Sequence, residues 1–466
     1  MLFNSFIFLF GFLPVTYAVF WMLRTANTRY VWLAITGYVF YGYWDWRFCL
    51  LMLFSTCVSY FAGLGMLKWD ADARRRKLCL VLPITVDLLL LGFFKYANFG
   101  LEVTKGVLET AGIPATIPHL DIILPVGISF YTFHTISYIV DAYRRQITPT
   151  RNFFEFSAYV SLFSQLVAGP IVRFRQIEED LERIANHDRR SFIRPGLSLF
   201  LIGLVEKILV ADTIAAITDP MLAAPGALGT ATAWIAMLGY SFQLYFDFSG
   251  YSTMAAGLGL LFGLRIPKNF NSPYKALDPS DFWRRWHISL STCMRDYLYI
   301  PFGGNRGNSE WFTSRNLFLT MLIGGLWHGA SWNFILWGAY HGVLLITYRF
   351  NAAKWDALPA GVRQGLLFLF VLIGWVPFRL PTLEGAGQVL SAMAGGQGAG
   401  SVLLPPILAV VPFVVAAWWA MRGPNAFEID TSKVSLRRDA LLFATCGAVL
   451  ALIATDRSSP FLYFQF

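Results

Sequence analysis

Apolar runs long enough to cross a bilayer recur along the whole of this 466-residue chain. Residues 2–23, 48–67 and 402–421 are examples, and a membrane-spanning helix needs about 20 such residues. A soluble domain carries about 25% charged residues, whereas this chain is 14% charged and 56% hydrophobic. This composition disfavours a large soluble protein and predicts an all-α polytopic membrane protein.

Basic residues fall in short clusters between the apolar runs, and the formal net charge is +9. Arg24 and Arg29 follow the first run, and the loop 68–77 follows the third. Because two spans separate these clusters, both are expected in the cytoplasm, with the N-terminus outside. Membrane topology thus accounts for the positive charge, and we predict no nucleic-acid partner. The first run lacks a basic leader and a cleavage site, so we predict that it is retained.

The apolar runs predict about eleven transmembrane helices with one or two re-entrant or interfacial helices besides. We expect residues 153–172 to dip into the membrane and return to the same face, because basic residues stand on both sides. A polar loop is expected from residue 95 to about 119, and residues 234–262 form one tilted span or two short ones interrupted at 245–252. The whole chain, 1–466, is predicted to be one membrane domain, with N-terminal helices (1–120), a core (121–350) and C-terminal helices (351–466). A Gly/Ala-rich linker is expected at 392–400.

Several familiar sites are missing from the sequence. The five cysteines form no CxxC pair, and there is no HExxH motif, so we predict no metal site. We also find no GxSxG elbow, Walker loop or dinucleotide fingerprint. No permanently bound cofactor is expected.

His328 is the most conspicuous ionisable residue, because it lies in the apolar segment GGLWHGASW. Ionisable side chains in membrane segments are by default candidates for function. The small residues around it allow neighbouring backbone to approach and leave a slot that Trp327 and Trp332 can wall. A neutral buried histidine can act as a general base; the alternative is a structural histidine hydrogen-bonded between closely packed helices.

Two further polar groups have open alternatives. His287 follows Arg284 and Arg285 on a basic amphipathic stretch, where the arginines either hold anionic phosphates at a cavity mouth or snorkel from an interfacial helix. Tyr245, Asp247 and Ser249 interrupt an apolar segment. Asp247 either lines a polar cavity or polarises a histidine, or it pairs with a basic residue for structure alone.

Long motifs in this chain resemble the membrane-bound O-acyltransferase family, in particular its bacterial branch that acetylates exported polysaccharides. They include DFWRRWHISLS, RDYLYIPFGGNR and GGLWHGASWNFILWGAYHG, supported by SFYTFHTISYIVDAYRR, SQLVAGPIVRFRQI, QLYFDFSGYS, GWVPFR and the final PFLYFQF. One departure is Thr253 in YSTMA, where the family often has aspartate.

The resemblance implies a fold with a central tunnel, in which His328 matches the catalytic histidine and His287 a second polar position on the cytoplasmic side. We predict both as catalytic, with substrate contacts from seven further residues: Arg284, Arg285, Trp327, Asp247, Tyr245, Ser331 and Asn333. The implied reaction moves acetyl from a cytoplasmic donor, acetyl-coenzyme A, across the bacterial inner membrane. Implied partners are membrane lipid, a polysaccharide synthesis and export complex, and a periplasmic SGNH-type acetyltransferase.

The acceptor is left open between an alginate-like polysaccharide and cellulose. A further alternative keeps the fold but changes the acceptor to peptidoglycan, a teichoic-acid D-alanyl carrier or a lipid. A rival from another class is a polytopic transporter without acyl-transfer chemistry, in which His328 relays protons. An inverted internal repeat is typical of many transporters, and we find none.

Overall fold

The computed structural model describes residues 1–114, 116–307, 309–396, 407–430, 435–455 and 461–462, and all regular secondary structure in these residues is helical. The chain divides into two compact units, Met1–Gly196 with Leu258–Pro267, and Leu197–Gly257 with Lys268–Phe466.

The first unit holds the N-terminal helices. They are α1 (Leu13–Met22), α2 (Ala26–Asp45), α3 (Arg47–Lys68), α4 (Ala73–Leu91), α5 (Ala97–Thr110), α6 (Ile128–Tyr143), α7 (Phe153–Val160), α8 (Phe174–Glu182) and the start of α9 (Arg189–Leu204). Hydroxyl groups satisfy a buried carboxylate in this unit: Ser55 and Thr135 donate to the two Asp87 oxygens over 2.6 and 2.7 Å.

The second unit holds the rest. Its helices are the end of α9, α10 (Thr213–Leu222), most of α11 (Thr230–Leu261), α12 (Pro279–Arg285), α13 (Ile288–Met294), α14 (Glu310–His328), α15 (Trp332–Asp356), α16 (Ala360–Arg379), α17 (Leu383–Met393), α18 (Ile407–Met421) and α19 (Leu436–Ala454). A π-helical segment, Val205–Asp212, joins α9 to α10. Such segments are rare and are frequent at functional sites.

Among the described residues, three helical stretches are long and apolar enough to cross a membrane: Arg47–Lys68, Ala73–Thr110 and Ala360–Arg379. Shorter apolar helices occupy Ile7–Met22, Val410–Met421 and Ala440–Ala454. An all-helical membrane protein is therefore confirmed, whereas the number of eleven spans and the central tunnel stay predictions.

Two predictions of local structure are wrong. The expected polar loop between residues 95 and 119 is helical up to Thr110, and the irregular connection begins only at Ala111. Of the two alternatives for residues 234–262, the interruption at 245–252 is the wrong one, since α11 is a single unbroken helix of 32 residues, Thr230–Leu261. Its polar side chains face partners in the protein interior and so do not break the helix.

The segment 153–172 has the irregular backbone that its sequence predicts. Helix α7 ends at Val160, and residues 161–173 form turns and extended chain. Every residue from Phe156 to Phe174 is buried. Irregular backbone in a membrane protein is tolerated where protein covers it, and that cover is present here.

The linker expected at 392–400 falls partly in α17, and residues 397–400 lie outside the described residues.

Candidate active site

Helices α14 and α15 form a tight hairpin that places His328 at its turn. His328 is the last residue of α14, and Gly329 continues in extended conformation. A Cβ atom on Gly338 of α15 would stand 2.5 Å from the Met321 carbonyl oxygen of α14, and one on Gly325 would collide with the Phe334 carbonyl. Only glycine permits this approach, so the expected close contact of backbone near His328 is confirmed, and the slot stays a prediction.

Aromatic rings surround His328, which is 6% exposed. The ring centroids of Trp327 and Trp337 each lie 5.0 Å from that of His328, and Phe378 lies 5.3 Å away. Trp332, expected to wall the slot, is 52% exposed, and the buried Trp337 also lies against His328.

His287 lies between α12 and α13 with a backbone φ of 43°, in the left-handed region. Few residues other than glycine adopt this conformation, and such strained positions cluster at functional sites. The side chain is fully buried. Its backbone conformation turns the chain between two seven-residue helices.

Asn269 determines which nitrogen of His287 carries the proton. The Asn269 Oδ1 atom accepts from the Ser289 backbone N–H over 3.1 Å, and the Asn269 amide donates to Ser252 over 3.1 Å. The His287 Nδ1 atom lies 3.2 Å from the same Oδ1. Since this oxygen only accepts, Nδ1 must donate, and a neutral His287 keeps its lone pair on Nε2.

Trp327 packs against both predicted catalytic histidines. Its ring centroid lies 6.2 Å from that of His287 and 5.0 Å from that of His328. The structure therefore brings together three of the residues that the sequence singled out, although His287 and His328 are 41 positions apart. Phe248 completes the wall beside His287 at 4.7 Å.

Asp247 belongs to a buried ion cluster. The Lys207 Nζ atom lies 2.5 Å from Asp247 Oδ1 and 2.7 Å from Asp212 Oδ1. The backbone N–H of Leu462 donates to Asp247 Oδ2 over 3.0 Å. Of the alternatives that the sequence left open, the structure shows Asp247 paired with a basic residue. Tyr245 is also buried and packs on the rings of Tyr274 and Trp286.

The predicted phosphate-binding arginines lie on α12. Arg285 Nε donates to Asp281 Oδ2 over 2.9 Å, and Arg284 Nη2 lies 3.6 Å from Asp281 Oδ1. Arg285 lines a cavity of about 410 Å³ together with Lys275, Arg363, Arg422, Asp278 and Asp281. Four basic and two acidic side chains leave this cavity with a net positive charge.

Ser331 and Asn333 lie at the start of α15. Ser331 is the N-cap residue, without a capping bond from its side chain. Asn333 is buried, and its Nδ2 donates to the carbonyl of Leu380 over 2.5 Å. This bond connects the hairpin to the end of α16.

Thr253 donates to Glu206 Oε2 over 3.3 Å, and Ser249 donates to the same atom over 3.1 Å.

Sequence reasoning did not single out several residues that build the site. Trp337 and Phe378 carry no local signal beyond being aromatic, and Asn269 lies in a loop. Lys207 and Glu206 did carry a signal, because two ionisable residues interrupt an apolar run. The described residues contain no group of three or more histidine, cysteine or carboxylate side chains that could hold a metal ion.

Comparisons with known proteins assign the chain to a family. The sequence profile of the membrane-bound O-acyltransferase family matches residues 141–360. The chain is 40% identical to the probable alginate O-acetylase AlgI of Azotobacter vinelandii, with all of both chains covered. It is 45% identical to the corresponding protein of Pseudomonas aeruginosa over 84% of this chain and 75% of that one. It is 38% identical to the peptidoglycan O-acetyltransferase of Helicobacter pylori over 85% of this chain and 80% of that one. These similarities favour an enzyme over a transporter, and this chain belongs to the membrane-bound O-acyltransferase family.

Proposed function

We propose that this protein is an O-acetyltransferase of the bacterial inner membrane that supplies acetyl groups to an exported polysaccharide. The observation that carries the proposal is that His287 and His328 both pack against Trp327 in a buried aromatic site. Acetyl-coenzyme A is the proposed donor, and a periplasmic SGNH-type partner completes the transfer to the glycan.

Helix α16 supports the direction of transfer. Its first turn, with Arg363, borders the positively charged cavity of Arg285 and Lys275, and basic residues favour the cytoplasmic face. The 20 residues of α16 span about 30 Å, the thickness of the hydrocarbon core. Phe378, which packs on His328, lies near the other end. Donor phosphates bound in the cavity would leave the acetyl end of the molecule to reach inward.

His328 is the proposed general base. It removes the proton from the acceptor hydroxyl as the oxygen attacks the thioester carbonyl of the donor. The carbon–sulfur bond then breaks, and the proton held by His328 passes to the departing thiolate. Backbone amides beside Gly329 are proposed donors to the developing oxyanion. The aromatic walls exclude water, which would otherwise compete as acceptor.

His287 is proposed to act on the donor side of Trp327. Asn269 holds its Nδ1 proton, so the Nε2 lone pair is presented in a fixed tautomer. Fixing the tautomer in this way orients the ring for hydrogen bonding to the donor or to the leaving thiol. Loss of His287 should therefore slow transfer less than loss of His328.

An alginate-like polysaccharide is the proposed final acceptor, acetylated through the periplasmic partner, because the similarity to the alginate O-acetylase of A. vinelandii covers both chains completely. Peptidoglycan is the second candidate, favoured by the similarity to the H. pylori enzyme. To distinguish the two candidates, this protein is expressed in cells that make only one of the two polymers. Acetyl esters on that polymer are then compared with those in cells that lack the protein.

Transfer of radiolabelled acetyl from acetyl-coenzyme A tests the chemistry. We expect His328→Ala to lower the rate by a factor of about 10² to 10⁴, the range for loss of a general base, and His287→Ala by less. His134→Ala is the matched control, since His134 is also fully buried but lies on α6 in the first unit. Rates are normalised to the folded fraction measured by size exclusion. Undiminished transfer by folded His328→Ala would refute the mechanism.

A further inference from the structure

His341 is a buried histidine that the proposed mechanism does not use. It lies on α15 in the second unit, and its side chain is fully buried. Neither of its ring nitrogens has a hydrogen-bond partner among the described residues. A buried polar atom without a partner is destabilising and calls for an explanation such as water or a ligand. A phenylalanine would fill the same place without this cost.

Aromatic rings surround His341, as they surround His328. The ring centroid of Trp337 lies 5.0 Å from the centroids of both histidines. The centroid of Trp283, on α12, lies 5.2 Å from that of His341, and the centroid of Trp375, on α16, lies 6.2 Å away. Walls of this kind cannot stabilise an ion. They suit an uncharged ligand whose few polar groups meet the imidazole.

Contacts along α16 show the depth at which His341 lies. Arg363, in the first turn of this helix, lines the positively charged cavity. A Cβ atom on Gly374 would stand 2.9 Å from His341 Nε2, and Phe378 packs on His328. Gly374 is about 16 Å beyond Arg363 and about 6 Å before Phe378 along the helix axis. A molecule that extends from the cavity to His328 therefore passes the level of His341.

Helix α12 contributes both to the cavity wall and to the surroundings of His341. Asp281 and Arg285 line the cavity. Phe282 and Trp283, which lie between them in sequence, contact His341, and the Phe282 ring is inclined by only 8° to the imidazole. Trp283 is half-buried, whereas His341 is fully buried. A ligand from the cavity would therefore reach the imidazole by displacing the Trp283 ring.

The hydrogen-bonding capacity of His341 indicates an amide as its ligand. A neutral imidazole carries one N–H donor and one acceptor nitrogen, and an amide offers the complementary carbonyl oxygen and N–H. The proposed donor, acetyl-coenzyme A, carries amides in the pantetheine arm that joins its phosphates to its thioester. The rest of this arm is largely apolar and fits aromatic walls.

We propose that His341 binds an amide of the donor's pantetheine arm and so sets the depth at which the thioester meets His328. This inference rests on the proposed function and extends it by naming a residue that selects the donor. His341 contacts the donor without touching the reacting atoms. The protein should therefore prefer thioesters that carry an amide near the sulfur over simple alkyl thioesters.

Two radiolabelled donors of similar length test the proposal in membranes that contain the full-length protein. S-acetyl-N-acetylcysteamine carries an amide near its thioester, and S-pentyl thioacetate has methylene groups in its place. We expect His341→Phe to lower kcat/KM for the amide donor by about tenfold, as for loss of one hydrogen bond in a buried site, mainly by raising KM. The value for S-pentyl thioacetate should stay within about twofold, because this donor makes no hydrogen bond to the imidazole.

Equal losses with both donors would overturn the proposal. A purely structural role of His341 predicts this result, because a displaced His328 would serve both donors equally poorly. An unchanged kcat/KM for the amide donor in folded His341→Phe would also overturn it. If His341→Phe does not fold, His341→Leu is compared in the same way.

Two further variants sharpen the comparison. His134→Phe is the matched control, since His134 is also fully buried but lies on α6 in the first unit; it should leave the preference between the two donors unchanged. His341→Gln keeps one donor and one acceptor group. It should therefore recover part of the preference for the amide donor that His341→Phe loses.

Calorimetric titration of the protein in nanodiscs with coenzyme A allows the two proposals to fail separately. We expect His341→Phe to bind coenzyme A about tenfold more weakly than the wild type. This result in a protein that never transfers acetyl would refute the proposed function and leave the role of His341 intact. Normal acetyl transfer, with coenzyme A affinity and donor preference unchanged in His341→Phe, would refute the role of His341 alone.

Discussion

The second unit buries two ionisable side chains, His328 and Lys207, in opposite surroundings: aromatic rings surround the first, and carboxylates surround the second. Both are ionisable residues in apolar helical sequence. Three aromatic rings lie within 5.3 Å of the His328 ring centroid. Lys207 has two carboxylates within 2.7 Å of its Nζ atom.

The difference follows from charge. A buried ammonium must be paired, because taking an ion out of water costs far more than taking a neutral group. Imidazole can shed its proton and remain neutral among apolar walls. The pairing at Lys207 fixes three segments of chain, including Leu462, and serves the fold. Aromatic rings lie around the imidazole of His328, the proposed general base.

Breaking the ion cluster gives the largest expected change in stability. Lys207→Met keeps the length of the side chain but leaves Asp212 and Asp247 without their cation. We expect the free energy of unfolding in mixed micelles to fall by about 3–5 kcal/mol, as for removal of one partner of a buried pair. By contrast, His328→Ala should alter activity much more than stability.

A double-mutant cycle separates the pairing from the loss of packing. Adding Asp247→Asn to Lys207→Met removes one of the two uncompensated charges, so the double variant should be more stable than Lys207→Met alone. If the loss of unfolding free energy in the double variant equals the sum of the two single losses, the two residues do not interact. The stated contrast between Lys207 and His328 would then be wrong.

The helix contact that carries His328 is the next most sensitive element. In Gly338→Ala the new methyl group would meet the Met321 carbonyl oxygen at 2.5 Å, and backbone cannot move aside easily. We expect a loss of about 1–3 kcal/mol, as for overpacking, and slower acetyl transfer because α14 shifts. Gly324→Ala is the control, since no neighbouring atom lies within 4 Å of the position that its methyl group would take; equal losses in both would contradict the close contact.

The sequence predicts the site at His328 much better than the ion cluster at Lys207. His328 could be found because a titratable ring in an apolar, glycine-rich segment is conspicuous locally. The role of Asp247 could not, because Lys207 is 40 positions away and periodicity does not show which helices meet. The same holds for Asn269, which fixes the His287 tautomer from a loop. Apolar runs predicted most helices, but α11 shows that polar side chains do not break a helix when protein surrounds them.

Glu206 is intermediate between His328 and Lys207. It is fully buried, and its side chain accepts from the neutral hydroxyls of Ser249 and Thr253. Thr253→Val removes one donor and keeps the shape of the side chain. We expect a loss of about 1 kcal/mol in the free energy of unfolding. The control is Thr320→Val, whose hydroxyl donates to the Asn316 carbonyl within α14. If the control loses as much, the bond of Thr253 to Glu206 has no special weight.

The smallest effect on stability is expected at the exposed ion pair of Glu310 and Arg349. Water solvates these charges, whereas carboxylates must stabilise the buried charge of Lys207. The hydrogen bond from Arg349 lowers the pKa of Glu310 below its usual value of 4.5. A lowered folded-state pKa contributes stability above the unfolded value and loses it as the pH falls through the folded one. The stability difference between wild type and Glu310→Gln should therefore be present at neutral pH and vanish in acid, and high salt should reduce it at every pH. Unfolding titrations of both proteins across this range check the sign. A difference that grew in acid would mean that the neutral side chain is the better partner of Arg349, and that this pair, unlike the cluster at Lys207, owes nothing to charge.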